Sequence, residues 1–335
     1  MRIRVKTFMQ KLTDERIKAL QLVLPEARRD ELMSAHTSMK IGGPARLYLI
    51  VSTRADLLNA IEAAKSHKIS FYVFGGGSNM LVSDDGYEGI MLQFADRSYK
   101  IDGTSIRAAG GALTGVVARA AAEAGLTGFE WGAGIPGTIG GATYGNSGSF
   151  GWEMKDAVAN VEALKISTNA IINYSNAECR FGYRDSRFKR DPHVILSTTL
   201  ELRTGDREGA LKKVAEIMEK RKASQPQGYF SAGCLFKNFE YEDESALEKL
   251  QTQVEEIPEA MLKQKRISAG WLIDLLGLKG TKIGNAQISP IHGNFLVNLG
   301  NARAQDAMAL SSLVKMKIRD ELGIMLEDEV QLVGW

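Results

Sequence analysis

Gly132-Ala133-Gly134-Ile135-Pro136-Gly137 fits the spacing GxGxxG, and whether it opens a Rossmann unit decides the fold. A Rossmann turn leaves a buried apolar strand and enters a helix directly. Here Phe129-Glu130-Trp131 comes before the glycines, Pro136 lies inside them, and Gly140-Gly141 stand where helix should begin. The context argues against a Rossmann unit. What remains is a run of small residues that lets the main chain approach a ligand closely and turn its N–H groups on a pyrophosphate. A second such stretch, Gly75-Gly76-Gly77-Ser78-Asn79, lies far away in the chain. Either stretch alone reads equally well as tight turns in a β-rich domain, whereas the two together point to a large phosphorylated cofactor.

Working outward, Thr53-Arg54-Ala55-Asp56 opens a helix with the apolar stripe Leu57, Leu58, Ile61 and Ala64. Residues 69–74 then read as a strand running into the first glycine stretch. A strand over 89–92, a hairpin around Asp102-Gly103 and a helix lined by Leu113, Val116, Val117, Ala120 and Ala121 lead to the second stretch. Strands are expected over 161–167 and 194–202. A helix carrying Leu211, Val214, Ile217 and Met218 stops at Gln225-Pro226. The last third has helices around 269–276 and 310–322 and short strands at 295–299 and 329–333. The pattern predicts an α+β protein in three parts: residues 1–100, including an N-terminal helical extension, residues 101–222, and residues 223–335.

With 335 residues, 44% of them hydrophobic, the chain has enough apolar material for such a core. Its net charge of +2, without a basic tail, gives no general reason to expect a nucleic-acid or membrane-surface partner. The start, Met1 to Lys6, runs into a charged amphipathic stretch instead of an apolar leader, so a cytoplasmic protein is expected. Cys179 and Cys234 are far apart and the four histidines, His36, His67, His193 and His292, are scattered. No metal site is indicated.

Six motifs occur in order: Thr37-Ser38-Met39-Lys40-Ile41-Gly42-Gly43-Pro44-Ala45; Gly75 to Asn79; Gly132 to Gly141 with Asn146-Ser147-Gly148; Phe181-Gly182-Tyr183-Arg184-Asp185-Ser186; Ser231-Ala232-Gly233-Cys234-Leu235-Phe236-Lys237-Asn238; and Asn294-Phe295-Leu296-Val297-Asn298. Together they resemble the UDP-N-acetylenolpyruvoylglucosamine reductase (MurB) family, over nearly everything from residue 33 to the C-terminus. The resemblance implies an FAD-binding domain of the vanillyl-alcohol-oxidase/PCMH type in two subdomains, followed by a C-terminal α+β substrate domain. It also implies a redox reaction in which NADPH is the reductant, FAD the carrier, and the enolpyruvyl double bond of UDP-GlcNAc-enolpyruvate the acceptor, giving UDP-N-acetylmuramate for peptidoglycan. Gly75, Gly76, Gly77, Ser78, Asn79, Gly134, Ile135, Pro136, Gly137, Gly140 and Gly141 would then hold FAD. The short segment between Arg184 and Cys234 leaves no room for the extra tyrosine-bearing loop of one branch, which points to the shorter type II branch. A monomer is expected.

Arg184, Cys234 and Glu329 match the family's catalytic positions. Arg184 would hold the charge that develops on the substrate, and its alternative is a surface ion pair with Asp185 or Glu178. Cys234 stands where most of the family has a serine proton donor; its alternative is a buried structural thiol, the part left to Cys179. Alternation along a strand would put Glu327 and Glu329 on one face, so the choice of Glu329 rests on the resemblance. Lys222, Tyr183 and Asn238 match substrate positions, although Lys222 also suits a helix C-terminus as a charge complementing the macrodipole. Two other readings stay open: an O₂-using oxidase of the same flavin class, and a flavin or nucleotide-sugar binding protein without catalysis. Neither glycine stretch holds a histidine or cysteine for a covalent flavin link.

Overall fold

The structure, a computed structural model, describes residues 12–335, so the stretch from Met1 to Lys6 lies outside the described residues. Thr53 opens the helix Arg54–Ser66 because its hydroxyl accepts the Asp56 N–H at 3.1 Å, satisfying a donor that a first helical turn leaves unpaired. Leu57, Ala60, Ile61 and Ala64 are buried on this helix and pack on a sheet ordered Arg28–Leu32, Pro44–Val51, Tyr87–Phe94, Phe71–Phe74. The last three strands are parallel. Strand Phe71–Phe74 ends at the first glycine stretch.

A second sheet, antiparallel throughout, is ordered Ala170–Ser175, Val158–Lys165, His193–Glu201, Ser105–Ala109, Tyr99–Asp102. Successive side chains of a strand point to opposite faces, and here both faces are covered. Leu164, Val194 and Leu196 join the core of the first sheet, while Ala163 and Ile195 join a second core with Val117 and Ala121 of helix Thr114–Glu123. Helix Arg207–Ser224 buries Ala210 and Ile217 and stops before Pro226.

One local expectation fails. The second glycine stretch contains a 3₁₀ turn, Glu130–Gly134, and is followed by a short helix, Ile139–Gly145, running straight through Gly140-Gly141. The Thr138 hydroxyl caps that helix by accepting the Gly141 N–H at 3.3 Å. Gly140 is required there because a Cβ would stand 2.8 Å from the Gly110 carbonyl oxygen.

The chain divides into two compact units. One takes the chain up to Glu31 with Pro44–Gly77 and Tyr87–Ala223; the other takes Leu32–Gly43, Ser78–Gly86 and Ser224–Trp335. The division therefore differs from contiguous parts 1–100, 101–222 and 223–335, because two early segments pair with the C-terminal third. Met80–Val82 forms a parallel ladder with Gln331–Val333. The buried Asn298 amide donates to the Met39 carbonyl at 3.0 Å. Asp84 accepts the Ala304 and Gln305 N–H groups at 2.8 and 2.9 Å, placing a carboxylate on the N-terminus of helix Ala304–Leu322.

In the second unit a sheet ordered Phe230–Cys234, Phe295–Asn298, Ala286–Ile288, Lys282–Ile283 is antiparallel. Helix Ala304–Leu322 packs with it through Ala307, Leu310, Val314 and Ile318. Of the strand expected over 329–333, Gln331–Val333 forms and joins Met80–Val82, while the Glu329 N–H donates to the Leu235 carbonyl. No helix among the described residues is long and apolar enough to cross a membrane.

Candidate active site

Gly75 and Gly76 meet the second glycine stretch within the first unit. A Cβ on Gly75 would lie 2.2 Å from Thr138 Oγ1, and one on Gly76 would lie 3.1 Å from Gly137 Cα. A side chain at Gly75 would have to displace Thr138, and one at Gly76 would press on Gly137. Gly77 and Gly137 also adopt φ of +62° and +104°, which side-chain-bearing residues avoid. The first stretch is held from behind: the Tyr48 hydroxyl donates to Gln93 Oε1, and Gln93 Nε2 donates to the Gly75 carbonyl at 3.2 Å. Burial pushes the Tyr48 hydroxyl up to about 12, so it remains a donor.

Among the described residues, the main-chain N–H groups of Gly75, Gly76, Gly77, Gly137 and Thr138 are not spent on hydrogen bonds within the protein. Donors clustered on a glycine surface in this way fit the diphosphate of a dinucleotide such as FAD. Gly140, Gly141 and Ile135 differ: their N–H groups bond to Gly110 O, Thr138 Oγ1 and Gly132 O. They shape the cradle through the main chain instead of donating to a ligand.

Arg184 lies on a two-residue hairpin in which Gly182 and Asp185 exchange N–H···O bonds of 3.0 and 3.1 Å. Its φ of +50° is uncommon for a residue with a side chain, and its Nη2 donates to the Gly148 carbonyl at 3.0 Å. The guanidinium carbon stands 5.2 Å from the Tyr183 ring centre. Both carboxylates considered as surface partners are engaged elsewhere: Asp185 pairs with Arg190, and Glu178 forms a capping box with Ser175.

Cys234 ends its strand in the second unit. The register of Phe230–Cys234 on Phe295–Asn298 slips between Ser231 and Cys234, and Gly233, at φ +81°, makes the kink. The thiol is half-buried, whereas Cys179 is fully enclosed and burial pushes its thiol up to about 12. Asn294 fixes the chain just beyond Cys234 from both sides, its Oδ1 accepting from Phe236 N at 2.9 Å and its Nδ2 donating to Phe236 O at 2.8 Å. The Glu329 N–H donates to the carbonyl of Leu235 at 2.9 Å, so the segment bearing Glu329 lies alongside the Cys234 strand. Asn79 Nδ2 donates to the Glu329 carbonyl at 3.2 Å, giving that residue a structural role. Glu327 is 74% exposed and paired with Lys237 at 2.9 Å, while Glu329 is half-buried, because the change of partner after Asp328 breaks the alternation expected of one strand. Asn238 Oδ1 accepts the Ala269 N–H at 3.1 Å, at the start of helix Ala269–Leu275.

Residues 225–333 match the family model described as UDP-N-acetylenolpyruvoylglucosamine reductase, C-terminal domain, and residues 45–171 match an FAD binding domain. The UDP-N-acetylenolpyruvoylglucosamine reductase of Caldanaerobacter subterraneus subsp. tengcongensis is 36% identical over 306 residues, which span 91% of this chain and 93% of that protein. The chain belongs to this reductase family. The reductase of Caldicellulosiruptor bescii is 37% identical over 312 residues, 92% of this chain and 91% of that one. The crystal structure of UDP-N-acetylenolpyruvylglucosamine reductase (MurB) from Thermus caldophilus aligns with a TM-score of 0.72 at 34% identity, covering 92% of this chain and 98% of that chain. The chain thus joins an FAD-binding domain, residues 45–171, to the C-terminal domain of the reductase family, residues 225–333, as an α+β protein.

Lys222 is exposed and pairs along its own helix with Glu219 at 2.6 Å. The neighbouring Arg221, not singled out from the sequence, is the residue against the glycine stretch: a Cβ on Gly134 would lie 2.5 Å from Arg221 Cδ and 3.2 Å from Ile217 Cγ2. Helical spacing carries the signal, since residues four apart share a face and Ile217 is buried. Gly75→Ala in this reductase is expected to weaken FAD retention about tenfold to a hundredfold, the usual cost of overpacking a closed contact. The ratio of flavin to protein absorbance after dialysis measures it, and full retention would show that Thr138 gives way.

Proposed function

We propose that this reductase transfers reducing equivalents from NADPH to the enolpyruvyl group of UDP-N-acetylglucosamine enolpyruvate, forming UDP-N-acetylmuramate. The reading is carried by the cradle of unspent N–H donors on Gly75–Gly77 and Gly137–Thr138 in a chain of this family. Bound FAD supplies the two-electron carrier between NADPH and the double bond. The remaining chemistry falls to side chains.

Hydride addition to the methylene carbon leaves the electron pair on the carbon bearing the carboxylate, delocalised into that carboxylate as an enolate-like dianion, and Arg184 holds this dianion with a fork that grips the two carboxylate oxygens through parallel hydrogen bonds. Cys234 then delivers its Sγ proton to the carbon bearing the carboxylate. A thiol, with an ordinary pKa of about 8.5, is a far stronger acid than the serine hydroxyl usual at this position. Glu329 assists as a neutral donor or by orienting Arg184 or a water, since an ionised carboxylate facing the intermediate would oppose the charge that Arg184 favours. Tyr183 and Asn238 contribute to substrate binding, and Lys222 attracts its diphosphate.

The purified protein is expected to be yellow and to oxidise NADPH beyond one equivalent per flavin, without air, only when the enolpyruvyl sugar nucleotide is present. Colourless protein that takes up no FAD would refute the cofactor. Rapid reoxidation by air with a simple alcohol or sugar would move the assignment to an oxidase.

A further inference from the structure

We infer that Asn146 is a positioning residue for Arg184. Arg184 holds an uncommon backbone conformation on a tight hairpin, and such conformations persist only where their surroundings fix them. Lys189 Nζ donates to the Arg184 carbonyl at 2.6 Å, and the Arg190–Asp185 ion pair holds the hairpin's last residue. Asn146 acts on the other arm. Its Nδ2 donates to the Gly182 carbonyl at 2.7 Å and to Glu153 Oε2 at 3.0 Å, and its Oδ1 accepts the Lys155 N–H at 3.0 Å.

Three further observations set this amide apart from an ordinary buried asparagine. It is completely enclosed. Its own backbone is left-handed, φ 43° and ψ 53°, at the end of the helix Ile139–Gly145 that begins beside the second glycine stretch. Two residues later, Gly148 provides the carbonyl that receives Arg184 Nη2. One side chain therefore fixes both the backbone beneath Arg184 and the loop to which the guanidinium is anchored. A loss of this amide should act on the aim of Arg184 before it acts on flavin binding.

The inference rests on the proposed role of Arg184, and the test separates the two. Asn146→Gly keeps a residue that tolerates the left-handed cap while deleting the amide. Asn146→Asp keeps the shape but turns a donor into an acceptor facing Gly182 O and Glu153, and serves where the glycine variant fails to fold. With FAD content checked, flavin reduction by NADPH is expected to stay within about twofold, while substrate binding to the oxidised holoenzyme, measured by calorimetry, weakens and substrate-dependent reoxidation falls about tenfold or more, as for a misaimed catalytic group. In a double-mutant cycle, adding Asn146→Gly to Arg184→Ala should cost almost nothing more, because the group it aims is already gone. Losses that multiply in the double variant, or equal slowing of both half-reactions, would overturn the inference and leave Arg184 untouched. An Arg184→Ala enzyme with an unchanged substrate step would instead overturn the role given to Arg184.

Discussion

Cys234→Ala is expected to slow reoxidation of the reduced enzyme by the enolpyruvyl sugar nucleotide about 10² to 10⁴-fold, the contribution usual for a positioned general acid. That corresponds to about 3 to 5 kcal/mol of barrier. Flavin reduction by NADPH should keep its rate, since that half-reaction needs no proton at the substrate carbon. The kinked strand makes the experiment clean: Gly233 sets the bend with nothing within 4 Å of its missing Cβ, and the Asn294 side chain holds Phe236 while the Asn294 carbonyl accepts the Leu235 N–H, so truncating the thiol leaves the backbone supported. Cys234→Ser should retain substantial activity, because the intermediate is basic enough to take a proton from a hydroxyl. Stopped-flow traces of the two half-reactions decide the matter. Equal losses in both, or an inactive serine variant with intact flavin, would remove Cys234 from the proton-donating role.

Arg184→Ala is expected to cost about 10² to 10³-fold in the same step, as removal of one preorganised donor to a developing oxyanion does. The cost should appear in kcat more than in KM, since the charge that the guanidinium meets grows as the enolate forms. Arg184→Lys keeps the charge and loses the planar fork, so it should recover only part of the rate. The competing view, that Arg184 is a solvated surface charge, predicts no change in either parameter. The geometry disfavours it, because Arg184 is half-buried and its guanidinium is anchored on the Gly148 carbonyl.

Local physics made much of this molecule legible. The stripe Leu57, Ile61 and Ala64 with its Thr53 cap marks a helix unaided, and Pro136 with the polar residue Glu130 marks a glycine stretch that no Rossmann unit could use. Three features lay outside that reach. Residues 329–333 look like one strand by alternation, yet the Glu329 N–H goes to Leu235, and the pairing of Gln331–Val333 with Met80–Val82 some 250 positions away leaves no local trace. Gly140-Gly141 argue against helix by propensity, but the Thr138 cap and the close approach to Gly110 outweigh it. Lys222 reads in the sequence as a charge near a helix end, while Arg221, one position earlier, shares the inward face with Ile217. Asn146 stands in a sequence motif, but the convergence of Gly182 and Glu153 on its buried amide is a tertiary fact.

Anaerobic mixing of the NADPH-reduced holoenzyme with UDP-N-acetylglucosamine enolpyruvate, followed by the visible flavin band, tests the central assignment most directly. Stoichiometric return of the band with formation of UDP-N-acetylmuramate is the predicted result. A band that stays bleached until air is admitted, with the sugar nucleotide recovered unchanged, would contradict it.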